Sequence, residues 1–240
     1  MHETTIDGGR LVRYGHWGRP VLVFASERGS AYDFADRGMV DAVGGLLEAG
    51  RVKLYCVDSD DGYSWSATDV PLEERARRHG RYEAWILDRV VPHISADTGG
   101  SAGDVIALGC SLGAYHALNF ALKRADLFPL AFCMSGNYDP ASWHGWGERG
   151  EATYFNNPVD FVPNLHGDHL DWLRGRLSVL LVCGQGQWED TTGSLDSTRR
   201  MAGLLADKGI RCELDLWGHD VPHDWPSWRT QFAHHLPRFC

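Results

Sequence analysis

The sequence predicts an α/β fold in which a mainly parallel sheet carries helices on both faces. Three observations predict it. Short apolar, β-rich runs recur along the chain, longer amphipathic stretches lie between them, and no repeat or composition shift marks a boundary within the 240 residues. Strands buried on both faces read as continuous apolar runs, and crossover helices are what cover the two faces of a parallel sheet. The length fits one domain, 1–240, with a full core.

Residues 4–14 alternate weakly around Gly8-Gly9, the pattern of an antiparallel hairpin at an edge. Residues 20–25 (PVLVFA) read as the first central strand. A loop with Gly29 follows, then a helical stretch through Met39, Val40, Val43, Leu46 and Leu47 that stops at Gly50. Residues 52–57 (VKLYCV) form the next strand and run into the turn-rich Asp58-Ser59-Asp60-Asp61-Gly62. Residues 71–94 predict a long helix, with Pro71 suited to its first turn and Gly80 and Pro92 weakening its middle and end. Strands follow at 104–108, 130–134, 177–183 and 211–217, and helices at 112–123, 194–208 and 228–236. Between 139 and 172 the periodicity disappears. Trp143, Trp146, Tyr154, Phe155, Phe161 and Trp172 are interleaved there with Gly, Asn, Pro and His. This predicts an irregular, aromatic-rich insertion; such insertions in compact domains are usually functional or poorly ordered, and the density of aromatics argues for order.

The formal charge of −9 argues against nucleic acid as a partner, since phosphate neutralisation needs a basic face. Arg75, Arg77, Arg78 and Arg81 alternate with Glu73, Glu74 and Glu83 at helical spacing and read as a solvated face. Residues 1–18 are charged throughout with no apolar signal region, and the longest apolar runs, such as 179–183, are far too short to span a bilayer. The expectation is a soluble, cytoplasmic protein with no membrane partner. Cys56, Cys110, Cys133, Cys183 and Cys212 sit in or at the end of strand-like runs and read as buried, reduced thiols; no Cys-x-x-Cys pair suggests structural zinc.

Gly109-Cys110-Ser111-Leu112-Gly113 matches Gly-x-Ser-x-Gly, a weak pattern alone. Its context is stronger, because it follows a strand and opens a helix, as the nucleophile elbow requires. Such a turn exposes the Ser111 hydroxyl above the sheet and aims the Leu112 N–H at the oxygen that gains charge in acyl transfer. Cys110 occupies the x position and should point into the fold. A second oxyanion donor belongs in the loop Ser26-Glu27-Arg28-Gly29, with Glu27 as the candidate.

A serine nucleophile needs a base, and this topology orders serine, acid, histidine. His219 and His223 both follow the last predicted strand and compete for the role. Their i, i+4 spacing raises a metal site, but Gly218 and Pro222 make the helix it would require improbable. The acid should follow the strand 177–183, where Glu189 and Asp190 are adjacent. Glu189 is narrowly preferred, with Asp190 the alternative acid or a helix cap, and Asp215, inside a strand, a weaker candidate.

These residues carry a resemblance. The chain is similar to the putative-esterase branch of the α/β-hydrolases, which includes esterase D, feruloyl and enterochelin esterases and mycolyltransferases. The matching stretches are Val21-Leu22-Val23-Phe24, Leu54-Tyr55-Cys56-Val57-Asp58-Ser59 with Ser64-Trp65, the elbow continued through Ala114-Tyr115-His116-Ala117, Met134-Ser135-Gly136, Tyr154-Phe155-Asn156-Asn157-Pro158 and His223-Asp224-Trp225-Pro226-Ser227-Trp228. The last two are more specific than the elbow. The resemblance implies the α/β-hydrolase fold, His223 as the base and a carboxylate at Glu189 as the acid. The chain departs from relatives that carry Gly-Gly where it has Arg28-Gly29. A serine carboxylic-ester hydrolase acting on a small-molecule ester through an acyl-enzyme is the resulting expectation, with no metal or organic cofactor implied. The alternatives are an acyltransferase using the same triad and a non-catalytic binding protein on the same fold.

Overall fold

The structure, a computed structural model, describes residues 1–100 and 102–240. Strands β1 (His2–Ile6) and β2 (Gly9–Tyr14) form the edge hairpin. They are followed by β3 (Arg19–Phe24), β4 (Val52–Val57), β5 (Ile106–Cys110), β6 (Leu130–Met134), β7 (Ser178–Cys183) and β8 (Arg211–Leu216). The eight strands make one sheet in the order β1-β2-β4-β3-β5-β6-β7-β8. β2 joins β4 antiparallel, and every pairing from β4 through β8 is parallel. β3 therefore stands where the chain first builds outward to β4 and then crosses back to β5. In open α/β sheets that switch, at the carboxyl ends of the strands, is where ligands bind.

Alternate side chains serve two cores. On β3, Leu22 and Phe24 pack on one face with Tyr55, Ala107 and Leu181, while Val21 and Val23 pack on the other with Leu54, Ile106 and Leu180. The first face is covered by α4 (Leu72–Trp85), α5 (Val91–Asp97), α6 (Leu112–Lys123) and α10 (Ser194–Asp207). The second is covered by the short helices α1 (Asp33–Asp36), α2 (Met39–Ala42) and α3 (Gly44–Glu48) and by α11 (Trp225–His235).

Several boundaries differ from the sequence expectation. The helical stretch after Gly29 is broken into three short helices, with Gly38 at φ +74 between the first two. The long helix runs past 94, because the backbone widens into a π-helical turn at Ile86–Val90 just before Pro92, which lacks the N–H a regular helix would use. The closing helix starts at Trp225, capped by Asp224, whose side chain accepts from the Ser227 N–H.

The largest correction concerns 139–172, which is not irregular. It holds α7 (Glu151–Phe155), α8 (Pro158–Phe161) and α9 (Gly167–Arg176), with 3₁₀ turns at Pro140–Ser142 and Val162–Asn164. α7 and α8, of five and four residues, are too short to display a 3.6-residue period, and their stabilisation is tertiary. Asn157 caps α8 with its own side chain. α7 has a glycine, Gly150, at its cap; Glu73 on α4 fills the role instead, accepting from the N–H groups of Gly150, Ala152 and Thr153 at 2.8, 3.2 and 3.0 Å. Beside it, the fully buried Arg75 donates to the carbonyls of Thr68, Val70, Trp143 and His144. No described helix is long and apolar enough to cross a membrane.

Candidate active site

β5 ends at Cys110, and α6 begins at Leu112. Ser111 makes the turn between them at φ 55° and ψ −120°, a region costly for any residue with a side chain. The turn is possible because backbone meets backbone around it: a Cβ at Gly109 would stand 2.2 Å from the Gly113 carbonyl carbon, and one at Gly113 2.3 Å from the Phe24 carbonyl oxygen. The Ser111 N–H donates to Met134 O at 2.9 Å, tying the elbow to the end of β6. Cys110 is buried on the far side of the strand with its thiol pushed well up by burial, so it is no rival to the half-buried Ser111 that lines the cavity.

The loops after β7 and β8 deliver two further groups. The 184–186 segment lies main chain to main chain against 218–221. Gly186 N–H donates to Val221 O, Gln185 N–H to Gly218 O, and a Cβ at Gly184 would stand 2.0 Å from Val221 O. The His223 N–H then donates to Gln187 O at 2.9 Å. Held this way, the imidazole spans two groups: Nε2 lies 3.1 Å from Ser111 Oγ and Nδ1 lies 2.9 Å from Glu189 Oε2. Glu189 is wholly buried, and its other oxygen accepts from the Ser135 hydroxyl at 2.5 Å. The arrangement can pass a proton from hydroxyl to imidazole while a carboxylate faces the charge that forms.

The competing candidates are elsewhere. Asp190 is exposed and accepts from the N–H of Thr191, and α10 takes its cap from Gly193 without any side-chain bond, so Asp190 is neither beside His223 nor a helix cap. The chain turns at Trp188, with φ +75, and of two adjacent carboxylates only one goes inward. His219 is exposed with Nδ1 3.2 Å from Gln185 O. Asp215 is taken by Trp217 Nε1 and His235 Nε2. Among the described residues no three His, Cys, Asp or Glu side chains cluster as a metal site would need.

Leu112 and Glu27 both line a cavity of about 460 Å³ that opens over Ser111. Among the described residues, neither amide N–H has a protein acceptor, whereas the Arg28 N–H is taken by Asp61 Oδ1 at 2.9 Å. Arg28, where relatives of this pattern often have glycine, adopts φ +52, so the loop keeps a glycine-like bend without the glycine. The cavity walls are mostly polar: Ser66, Thr68, Asn137, Ser142, Thr191 and Thr192 among them. Of the aromatics noted between 139 and 172, only Trp143 reaches it; Tyr154, Phe161 and Trp172 pack on the core. Sequence reasoning missed this wall because its members come from four separate loops, none with a pattern of its own.

A model of the family described as "Putative esterase" matches residues 48–239. No curated protein matches the chain in sequence. Among solved structures, a ferulic acid esterase superposes with a TM-score of 0.75 at 17% identity, covering 96% of this chain and 91% of that one. MPT51 of Mycobacterium tuberculosis gives 0.72 at 14% identity, over 96% and 92%. An S-formylglutathione hydrolase from Agrobacterium tumefaciens gives 0.69 at 14%, over 100% and 97%. At such identities the likeness is one of fold, the α/β-hydrolase fold.

Proposed function

The chain belongs to the putative-esterase family, and from that premise we propose that it hydrolyses carboxylic esters through an acyl-enzyme on Ser111. Ser111 Oγ attacks the ester carbonyl as His223 Nε2 takes its proton. Glu189 keeps the Nδ1 proton in place and balances the imidazolium. The N–H groups of Leu112 and Glu27 face the oxygen that becomes negative in the tetrahedral intermediate. When this collapses, His223 returns the proton to the departing alcohol; it then activates water, which releases the acid and restores the hydroxyl.

The observation that carries this reading is the imidazole bridging an accessible hydroxyl and a buried carboxylate, at 3.1 and 2.9 Å. The lining also favours a substrate class. A cavity of about 460 Å³ walled by hydroxyl and amide side chains suits a small ester with a polar acyl or alcohol part.

Labelling with a fluorophosphonate probe tests the nucleophile. Wild type should label and hydrolyse short p-nitrophenyl esters, and Ser111→Ala should lose labelling and at least about ten-thousandfold in kcat/KM. Retained hydrolysis in Ser111→Ala would remove the mechanism. Product analysis with an added acceptor alcohol separates hydrolysis from acyl transfer.

A further inference from the structure

From the geometry behind Glu189 we infer that Ser135 and Trp228 form a positioning relay, which holds the Glu189–His223 pair in register for the reaction proposed above and rests on that reading. Ser135 follows β6 and is fully buried at φ +52; its N–H donates to Val182 O at 2.8 Å, which pins it between the ends of β6 and β7. Its hydroxyl stands between two partners, 2.5 Å from Glu189 Oε1 and 3.0 Å from Trp228 Nε1. An indole N–H can only donate and an ionised carboxylate can only accept. The hydroxyl must therefore accept from Trp228, and its single proton is directed at Glu189.

The same indole touches the other end of the pair. Trp228 packs edge-on against the His223 ring, with centroids 4.9 Å apart and planes at 84°. One residue thus limits the tilt of the imidazole and fixes the hydroxyl that holds the carboxylate. The terminal torsion of a glutamate is broad, and His223 Nδ1 and the Cys183 thiol both lie on Oε2, so without Ser135 the Oε1 side could rotate. With Oε1 fixed by Ser135, Oε2 stays aimed at Nδ1. Buried away from water, the carboxylate needs hydrogen-bond donors, and Ser135 supplies one of them.

The relay accounts for the spacing of the last motif. His223 is the base and Asp224 caps α11. Trp225 and Pro226 form the first turn, which brings Trp228 back over His223 and Ser135.

Ser135→Gly and Trp228→Phe test it. Glycine suits φ +52, so that variant removes the hydroxyl and relieves the backbone; phenylalanine keeps a ring against His223 and removes only the N–H. Each should lose about ten- to a hundredfold in kcat with KM near wild type, the rate equivalent of one hydrogen bond to a charged group. The double variant should be no worse than the poorer single, since the two act in series. The far-downfield proton resonance of the His223–Glu189 hydrogen bond should shift or broaden in both, with both variants still folded at the assay temperature. Wild-type kcat and an unchanged resonance in both variants, with Ser111→Ala inactive, would overturn the relay and leave the hydrolase reading standing. Multiplicative losses in the double variant would overturn it too. Full activity in Ser111→Ala would remove both.

Discussion

At Gly109 and Gly113 the atoms a side chain would meet are main-chain atoms, which have nowhere to go. Placing alanine at Gly113 would press a methyl group on the end of β3, the strand that also leads to Glu27. We expect Gly113→Ala to destabilise the fold by about 1–3 kcal/mol and to slow probe labelling of Ser111. Chemical denaturation and labelling kinetics read the two effects, and wild-type values for both would show that the elbow yields. The elbow is the part of the site most legible in sequence, because strand, tight turn and helix are contiguous and glycine is required on both sides. Ser135 is the opposite case. Met134-Ser135-Gly136 shares in the resemblance but assigns the serine no role, and its hydroxyl acquires meaning only from Glu189 and Trp228, 54 and 93 residues away. Glu189 and Asp190 fall between these extremes: sequence narrows the acid to the pair, and the turn at Trp188 separates them.

Helix α4 does more than cover the sheet, for its first turn also holds the backbone of the segment beyond β6, Arg75 at Trp143 and His144 and Glu73 at residues 150–153. Burial alone would raise the Glu73 carboxyl, but the bonds from Thr153, Gly150 and Ala152 hold it below its usual range. Glu73→Ala should leave the start of α7 uncapped at a cost of about 1 kcal/mol, and speed amide exchange at residues 150–153. Exchange that stays at the wild-type rate there would mean that α7 is held by packing alone. The strands were readable because burial on both faces writes uninterrupted apolar runs, as in residues 20–25 and 130–134. α7 and α8 were not, since helices of five and four residues carry no period and owe their ends to Glu73 and Asn157. The same limit explains α1 to α3, where Gly38, Gly44 and Gly45 divide what reads as one amphipathic stretch.

Taken whole, the molecule carries a polar flaw in its larger core. His79 and His116 are both fully buried, with ring centroids 5.1 Å apart, and none of their four ring nitrogens has a hydrogen-bond partner among the described residues. Burial drives both rings to the neutral form, His116 down to about 3 and His79 well below its usual value. The sign follows from the unfolded chain, where histidine titrates near 6.5. At His116, between about pH 6.5 and pH 3, the unfolded state binds more protons than the folded one, so stability falls as pH falls through that window, by about 1.4 kcal/mol per pH unit, and His79 acts in the same direction. His116→Phe should therefore flatten the acid side of the stability–pH curve, as measured by denaturant unfolding at pH 7 and pH 5. An equal slope in wild type and variant would show that the ring is protonated inside the fold.

Arg75 holds the outer wall of the cavity through four backbone carbonyls and no side chain. An anchor of that kind is indifferent to what the anchored residues are. Thr68 and His144, whose carbonyls it grips and whose side chains face the cavity, are thereby free to vary in chemistry without loosening the frame. Exchange at such positions would alter the lining of the cavity while the architecture stays constant, and a designer wishing to redirect the cavity would begin there.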